Sequence, residues 1–330
     1  MELYRTREAV PAEFGPSAVT VGKFDGLHRG HGDVLRQLCD VAAADGLTPT
    51  VVTFDRNPLE TLNPERAPVA LASAAQKIEL FEEAGIGAVL MLPFTEELAH
   101  LSPELFVQRI LLDTLHAKVV LAGRDFRFGE RGAGDLDALR GFGEQFGFEV
   151  AVIEDFDVAE SDADGAPRRV SSTWIRELMS EGRVREAAEL LGRLPSIRSR
   201  VVHGEQRGRE LGYPTANLDP DLEGMLPLDG VYAAWATVDG QRYGAAVSIG
   251  NNPTFEGIPQ HQVEAHLLDQ KLDLYDRTIE LEFVDYVRPM NKFEGVEALV
   301  AQLQADEQRI RAILDRERGV AQEPGTPARP

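Results

Sequence analysis

The stretch VGKFDGLHRGH, residues 21–31, decides the fold of the first half of the chain. It follows the short, largely apolar segment 17–21, and Gly22 and Gly26 let the backbone turn sharply and approach a ligand closely. The stretch therefore predicts a buried strand that passes through a tight turn into a helix. Parallel sheets bind their ligands beside such turns, at the carboxyl ends of the strands.

His28 and His31 stand three residues apart in this stretch. A helix that begins near Leu27 places both on one face, beside backbone N–H groups that attract anions. Two imidazoles and a helix N-terminus can bind phosphate oxygens as they move towards a pentacoordinate state, so we expect a nucleoside triphosphate here. The alternative is an ordinary capped helix with surface histidines, since short motifs often match by chance.

Composition allows two domains and limits the partners. The chain has 330 residues, of which 43% are hydrophobic, enough for a core in each half. A net charge of −21 argues against a broad surface for nucleic acid or an anionic membrane. We expect small-molecule partners, no nucleic acid, no membrane and at most weak or transient homo-oligomers. An anionic substrate must be held locally, by helix ends, a few arginines and a divalent cation.

Cys39 is the only cysteine in the sequence, which excludes an intrachain disulfide and a cysteine-based zinc site. The segment 1–10 carries charges where a signal peptide needs an apolar run, and no segment approaches membrane-spanning length. We therefore expect a cytoplasmic protein.

Apolar strand patterns alternate with helical patterns up to about Gly147. The predicted strands are residues 17–21, 48–54, 87–92, 118–122 and 148–153. The predicted helices are residues 30–45, 73–84, 103–115 and 136–146. This alternation predicts an α/β fold, a parallel sheet with helices on both faces. The acidic segment 155–168 is expected to be an exposed loop.

The second half has a different pattern, of short strands separated by turns. These strands are predicted at residues 197–203, 230–238, 242–249, 262–268 and 278–287, before a helix at 294–316. The pattern is typical of an antiparallel barrel or sandwich closed by a C-terminal helix. We expect domains at 1–192 and 193–318, and disorder in the Pro-, Gly- and Ala-rich tail 319–330.

Two further motifs fit a phosphate-binding site in the first domain. The segment GRDFRFG, residues 123–129, follows a predicted strand and belongs on the same edge of the sheet as the histidines. The segment SSTWIR, residues 171–176, places hydroxyl side chains at a helix start and Arg176 one turn later, as a phosphate clamp would. The alternative for this segment is an ordinary N-cap with a surface arginine.

In the second domain the segment GRELGYPTAN, residues 208–217, carries Thr215 and Asn217 on alternate positions. In an extended segment their side chains face the same side and can share one hard cation. A polar edge strand is the alternative interpretation.

Taken together, these motifs resemble the prokaryotic bifunctional riboflavin kinase and FAD synthetase family. Its adenylyltransferase half carries G-x-F-D-G-x-H-x-G-H, G-x-D-F-R-F-G and S-S-T-x-I-R segments, all present here in order. Its kinase half carries G-x-P-T-A-N, an I-G-x-N-P-T-F loop and a glutamate in the following strand, which match residues 212–217, 249–255 and Glu264. Six ordered matches over most of the chain do not arise by chance.

The resemblance implies a Rossmann-like nucleotidyltransferase domain followed by a β-barrel kinase domain. It implies that the second domain phosphorylates riboflavin to FMN with ATP. It further implies that the first domain adenylylates FMN to FAD with a second ATP and releases pyrophosphate. Mg²⁺ is the implied cofactor of both reactions.

Roles in the first domain follow from the same match. The resemblance assigns His28, His31 and Arg176 to catalysis at the ATP phosphates, and Asp125 and Phe126 to the flavin. The other residues implied to bind ATP are Gly22, Phe24, Asp25, Gly30, Asn57, Ser171, Ser172 and Thr173.

For the kinase half the resemblance implies that Glu264 is the base that accepts the proton of the ribityl hydroxyl. Without the resemblance, the interpretation of Glu264 would be an exposed carboxylate on a strand. Thr215 and Asn217 are implied to ligate Mg²⁺ together with ATP. The implied flavin contacts are Asn251, Thr254, Phe255 and Arg288.

One position departs from the family pattern. Where the family reads F-D-x-H-P, residues 54–58 read FDRNP, so Asn57 replaces a histidine and cannot carry a positive charge. A kinase with an impaired first domain is therefore one alternative, and a flavin-sensing or RNA-binding regulator is another. Net acidity and intact motifs argue against the regulator. An aminoacyl-tRNA synthetase with the same histidine motif fails because no tRNA-binding surface is present.

Overall fold

The apolar runs of the first half form a parallel sheet in the computed structural model, which describes residues 1–153, 159–161, 167–204, 212–251 and 261–322. The described chain forms two compact units, Met1–Val170 and a second that starts at Ser171. This division lies ahead of the boundary expected near Arg193.

The first unit contains six parallel strands in the order β1–β4–β3–β2–β5–β6. The strands are β1 (Glu2–Tyr4), β2 (Ser17–Val21), β3 (Thr48–Phe54), β4 (Ala88–Leu92), β5 (Ala117–Ala122) and β6 (Glu149–Val152). The α-helices are α1 (Arg29–Asp45), α2 (Pro58–Leu62), α3 (Ala74–Glu83), α4 (Glu96–Ala99), α5 (Pro103–Phe106) and α6 (Leu136–Phe146). The antiparallel pair β7 (Ala159–Ser161) and β8 (Pro167–Arg169) completes the unit. Part of the acidic segment expected to be a loop lies outside the described residues.

Both faces of this sheet are covered, which explains why its strands are continuously apolar. On one face Val19 and Leu90 pack with Ile110, and on the other Ala18 packs with Phe81. The doubly wound α/β fold expected from the sequence is confirmed.

The order of the strands fixes where a ligand can bind. The chain runs from β2 outward through β3 and β4, then returns to the other side of β2 as β5. The turn after β2 therefore lies at the topological switch point, and the loop after β5 lies beside it. Thr20 of β2 pairs with Leu121 of β5 near this edge.

In its described residues the second unit contains two helices, a closed antiparallel barrel and a long C-terminal helix. The helices are α7 (Ser172–Ser180), α8 (Val184–Leu191) and α9 (Val296–Gln322). The barrel order is β10–β13–β12–β11–β14–β9. Its strands are β9 (Ser196–Val202), β10 (Ala216–Leu218), β11 (Gly230–Val238), β12 (Gln241–Asn251), β13 (His261–Leu267) and β14 (Thr278–Arg288). The strand pattern allows a barrel or a sandwich, and the structure contains the barrel.

Helix α9 covers one side of the barrel, where Ile310, Ile313 and Leu314 pack against Trp235. The helix continues to Gln322, into the segment whose composition predicts disorder, and residues 323–330 lie outside the described part. Helix α8 packs on β14, which explains why the second unit begins before the barrel. In the described residues no helix has the length and apolar character needed to cross a membrane.

Candidate functional site

The turn that follows β2 has an unusual backbone. Gly22 N donates to Val52 O at 3.0 Å, which holds the start of the turn to the end of β3. Phe24 and Leu27 then adopt φ values of 47° and 34°, although neither is glycine. Side chains avoid this region, so the surrounding packing must enforce it. Phe24 is buried and packs edge-on against Phe81, with ring centroids 5.5 Å apart.

The two predicted histidines are brought together at the start of α1. His28 is the N-cap residue, and its Nδ1 accepts a hydrogen bond from the backbone N–H of His31 at 3.3 Å. A neutral His28 in this arrangement therefore carries its proton on Nε2. The two rings stack with centroids 3.8 Å apart, and the ring of Phe24 contacts His31 edge-on. Two positive imidazoles at this separation repel each other, which suits the pair to a ligand that brings negative charge.

Asp25 and Gly30 have local roles in the same turn. Asp25 Oδ1 accepts from Leu71 N at 2.9 Å, so the carboxylate fixes the segment that leads into α3. A Cβ at Gly30 would lie 3.3 Å from Nδ1 of His28, so the glycine leaves room for the imidazole. A Cβ at Gly22 would lie 2.9 Å from the ring of Phe24. These residues shape the wall of the candidate nucleotide site.

Lys77 is a residue of this region that sequence reasoning missed. Only 7% of it is exposed, and its Nζ donates to Phe54 O at 2.9 Å, where β3 ends. Its position four residues before the buried Phe81 places it on the inner face of α3, which is a signal available in the sequence. The structure thus places a buried amine at the carboxyl edge of the sheet.

Asn57, the departure from the family pattern, caps helix α2. Its Oδ1 accepts from Leu59 N at 3.0 Å, and its own N–H donates to Glu60 Oε1 at 2.9 Å. This is a capping box, which stabilises the helix start. The amide oxygen of Asn57 is therefore engaged in local structure.

The loop after β5 holds the two candidate flavin contacts. Phe126 N donates to Gly123 O at 3.1 Å, which closes a tight turn, and the rings of Phe126 and Phe128 stack 5.2 Å apart. Asp125 Oδ2 accepts from Arg169 at 3.1 Å, with both side chains largely exposed. The aromatic pair is therefore anchored while the ion pair faces solvent.

The Ser-Ser-Thr segment lies at the start of α7, in the second unit. Ser171 is the N-cap residue, and its Oγ accepts from Trp174 N at 3.3 Å. Ser172 and Thr173 begin the helix, and Arg176 is half-buried one turn later. The ordinary N-cap, which is the alternative interpretation of this segment, is therefore formed. The binding of ATP by these four residues stays a prediction.

The barrel brings together the three candidate kinase residues. Asn217 of β10 pairs with Glu264 of β13, so both side chains lie on the same face. Thr215, two residues before Asn217, donates from Oγ1 to Glu264 Oε2 at 3.3 Å. A Cβ at Gly204 would lie 2.4 Å from the amide of Asn217, so any residue other than glycine would displace this amide. Interior positions such as Ala265 are buried, which puts the polar residues on the outer face.

Thr215 lines a cavity of about 690 Å³, a volume within the usual range of small-molecule sites, whereas Asn217 and Glu264 are not among the described residues that line it. Pro214, Thr215 and Ala216 form one wall. Leu272 and Tyr275 contribute apolar and aromatic surface to the other. A polar edge with apolar walls suits a nucleotide, whose phosphates are hydrophilic and whose base is flat.

The expected flavin contacts of this unit are described only in part. Arg288, the last residue of β14, forms an ion pair with Asp306 of α9. Its Nε donates to both carboxylate oxygens, at 2.9 and 3.1 Å, and a terminal guanidinium nitrogen lies 2.8 Å from Oδ2. Asn251 ends β12, whereas Thr254 and Phe255 lie outside the described residues. Flavin contact by these residues stays a prediction.

Oxygen ligands dominate the candidate metal site. Within the part of the chain that the structure describes, no group of three or more His, Cys, Asp or Glu residues could hold a metal ion. Thr215 and Asn217 instead offer hydroxyl and amide oxygens, which are hard ligands that suit Mg²⁺, and the carboxylate of Glu264 lies beside them. Such a site leaves positions for water and phosphate oxygens.

Comparison with known proteins identifies the class. Residues 10–167 match the family model of FAD synthetase, and residues 191–314 match that of riboflavin kinase. The chain is therefore a transferase of phosphorus-containing groups. It belongs to the bifunctional riboflavin kinase/FMN adenylyltransferase family.

Relatives match nearly the whole chain. The bifunctional riboflavin kinase/FMN adenylyltransferase of Listeria monocytogenes is 36% identical, over 90% of this chain and 92% of its own. The protein of the same name from Pseudomonas fluorescens is 37% identical, over 95% of this chain and 98% of its own. A crystal structure described as a macrolide-efflux protein from Streptococcus pneumoniae superposes with a TM-score of 0.82 at 32% identity, covering 94% of this chain and 98% of its own. The family resemblance inferred from the motifs is confirmed.

Proposed function

We propose that this chain converts riboflavin to FMN in its barrel and FMN to FAD in its parallel-sheet domain, using one ATP for each step. The observation that supports this most strongly is that two family matches lie side by side in one chain, each over a distinct polar site. ATP is the substrate that enzymes of this family share.

In the kinase reaction the ribityl hydroxyl attacks the γ-phosphate of ATP, and ADP leaves. Glu264 accepts the hydroxyl proton, because the hydroxyl is a weak nucleophile while it keeps that proton. The hydrogen bond from Thr215 to Glu264 Oε2 keeps both side chains on the outer face of the barrel. Thr215 and Asn217 would hold Mg²⁺, which when bound neutralises charge on the phosphates.

In the adenylyl transfer the FMN phosphate attacks the α-phosphate of ATP, and pyrophosphate leaves. The attacking phosphate is already anionic, so the site needs alignment and positive charge rather than a base. The stacked histidines and the N-terminus of α1 provide these at the switch point of the sheet. Phe126 of the neighbouring loop is the proposed contact for the flavin.

The direct test is to incubate the purified chain with riboflavin, ATP and Mg²⁺ and to separate the flavins by chromatography. We expect FMN to appear first and FAD to follow. A product that stops at FMN would favour a kinase with an impaired first domain. Tight flavin binding without ATP turnover would instead favour a regulatory protein. The cytoplasmic location and weak self-association stay predictions.

A further inference from the structure

His266 lies on the same face of β13 as Glu264, because the two residues are two apart in a strand. Its Nδ1 is 2.8 Å from the carbonyl oxygen of Pro214. A carbonyl oxygen only accepts, so Nδ1 carries the proton and donates this hydrogen bond. The ring also packs against Tyr213, with centroids 5.3 Å apart. His266 thus contacts two consecutive residues of the segment that leads into β10.

This segment needs such support because the strand ladder does not include it. The pairing of β10 with β13 starts at Ala216 and Ala265, so residues 213–215 precede the ladder. Pro214 cannot donate a backbone hydrogen bond. Thr215, which follows it directly, donates to Glu264 and lines the cavity. Glu264 itself is fixed on both sides, by pairing with Asn217 and with Ser248.

We propose that His266 is a positioning residue for the kinase reaction. By holding the Pro214 carbonyl it keeps the Thr215 hydroxyl directed at Glu264 and at the cavity where ATP binds. The inference rests on the proposed roles of Thr215 and Glu264. Since Glu264 is anchored independently, loss of the hydrogen bond affects the binding of ATP more than the proton transfer.

Two variants of similar shape test the hydrogen bond in the full chain. In His266→Asn the amide nitrogen takes the place of Nδ1 and still donates, whereas His266→Leu removes the donor. Because one hydrogen bond is lost, we expect the Leu variant to raise the KM for ATP in riboflavin phosphorylation by about fivefold to tenfold. Its kcat stays within about twofold, and the Asn variant returns KM to near the original value. FMN adenylylation, measured on the same samples, stays unchanged.

Equal KM values for the Leu and Asn variants would overturn the proposal, and so would a fall in kcat at constant KM. If the Leu variant does not fold, as judged by circular dichroism, His266→Gln serves instead. Its donor lies at the position of Nε2, too far along the side chain for Pro214, so it is expected to behave like Leu. The Glu264→Gln variant distinguishes an error in the proposed kinase site from an error in the proposed role of His266. Full kinase activity in that variant contradicts the site assignment, whereas its loss beside an unaffected Leu variant contradicts the role of His266 alone.

Discussion

The buried Nζ of Lys77 donates a hydrogen bond to Phe54 O at 2.9 Å, at the point where β3 leaves the sheet. Burial lowers the pKa of Lys77 from its ordinary value of 10.5, while Asp25, Asp55 and Glu60 act in the opposite direction. The amine therefore joins the end of a central strand to the loops around the candidate adenylyl-transfer site. The folded chain therefore releases the Lys77 proton at a lower pH than the unfolded chain does.

We expect Lys77→Met to change how stability depends on alkaline pH. The unfolded chain binds the lysine proton more tightly than the folded chain does, because the folded pKa is the lower of the two. The free energy of unfolding therefore rises as pH increases from the folded pKa to 10.5. Near neutral pH the Met variant loses a hydrogen bond but no longer buries a charge. These two effects offset each other, so its free energy of unfolding stays within about 1 kcal/mol of that of the wild type.

Melting temperatures of the wild type and the Met variant across this pH range provide the measurement. The wild type gains stability relative to the variant as pH rises. Parallel pH curves would show that Lys77 titrates in the folded chain as it does in the unfolded one. Riboflavin kinase activity at neutral pH serves as the control and stays unchanged.

The Glu264→Gln variant tests the kinase base. Glutamine keeps the shape and most hydrogen bonds but cannot accept the proton, so riboflavin phosphorylation falls by about a hundredfold or more. FAD formation from supplied FMN stays unchanged, since that reaction needs no base. Both rates are measured on one folded preparation, and an equal fall in the two would contradict a separate kinase site.

His31→Ala is the converse variant. It removes a ring that stacks 3.8 Å from His28 at the start of α1, so adenylylation of FMN falls by about a hundredfold, as when an oxyanion-type donor is lost. The kinase reaction is spared. The backbone N–H of residue 31 still donates to His28 Nδ1, so the cap persists and the helix is expected to remain folded. Unimpaired adenylylation would remove His31 from the proposed mechanism.

Local patterns predicted most of the elements that position the two sites. The strand, glycine turn and helix around Gly22 were predictable because each step has its own residue preference. Strand β1 was missed because Glu2–Tyr4 is too short to show a period. The predicted helix 103–115 was only partly right. It passes into a π-helical turn at Val107–Leu112, where Asp113 N donates to Gln108 O at 2.8 Å.

Contacts between distant segments were beyond the sequence. Arg288 was assigned to flavin by resemblance, and nothing in its neighbours along the chain indicates the ion pair with Asp306 on α9. The hydrogen bond from Lys77 to Phe54 likewise depends on how α3 packs against the sheet. Motifs predict which residue types meet at a site, whereas tertiary packing decides which of them are already engaged.

Asn57→His tests the departure from the family pattern. We expect the kinase to be untouched and FMN adenylylation to rise, or at least not to fall, because histidine restores the capacity for positive charge. Replacement of the cap weakens α2 by about 1 kcal/mol or less. Asn57→Asp is the matched control, because it keeps the cap and adds negative charge, so it lowers adenylylation. A large loss in the His variant would show that this site depends on asparagine.

Gly204→Ala tests the metal site through packing alone. An added Cβ would lie 2.4 Å from the side chain of Asn217, which must then move away from Glu264 and Thr215. The Mg²⁺ concentration for half-maximal riboflavin phosphorylation therefore rises by about tenfold, the cost of misplacing one ligand. The adenylyl transfer keeps its Mg²⁺ dependence. Gly295→Ala is the control, because a Cβ there meets no atom within 4 Å. Because the added Cβ displaces the amide of Asn217, an unchanged Mg²⁺ requirement in the Gly204 variant would exclude Asn217 as a ligand.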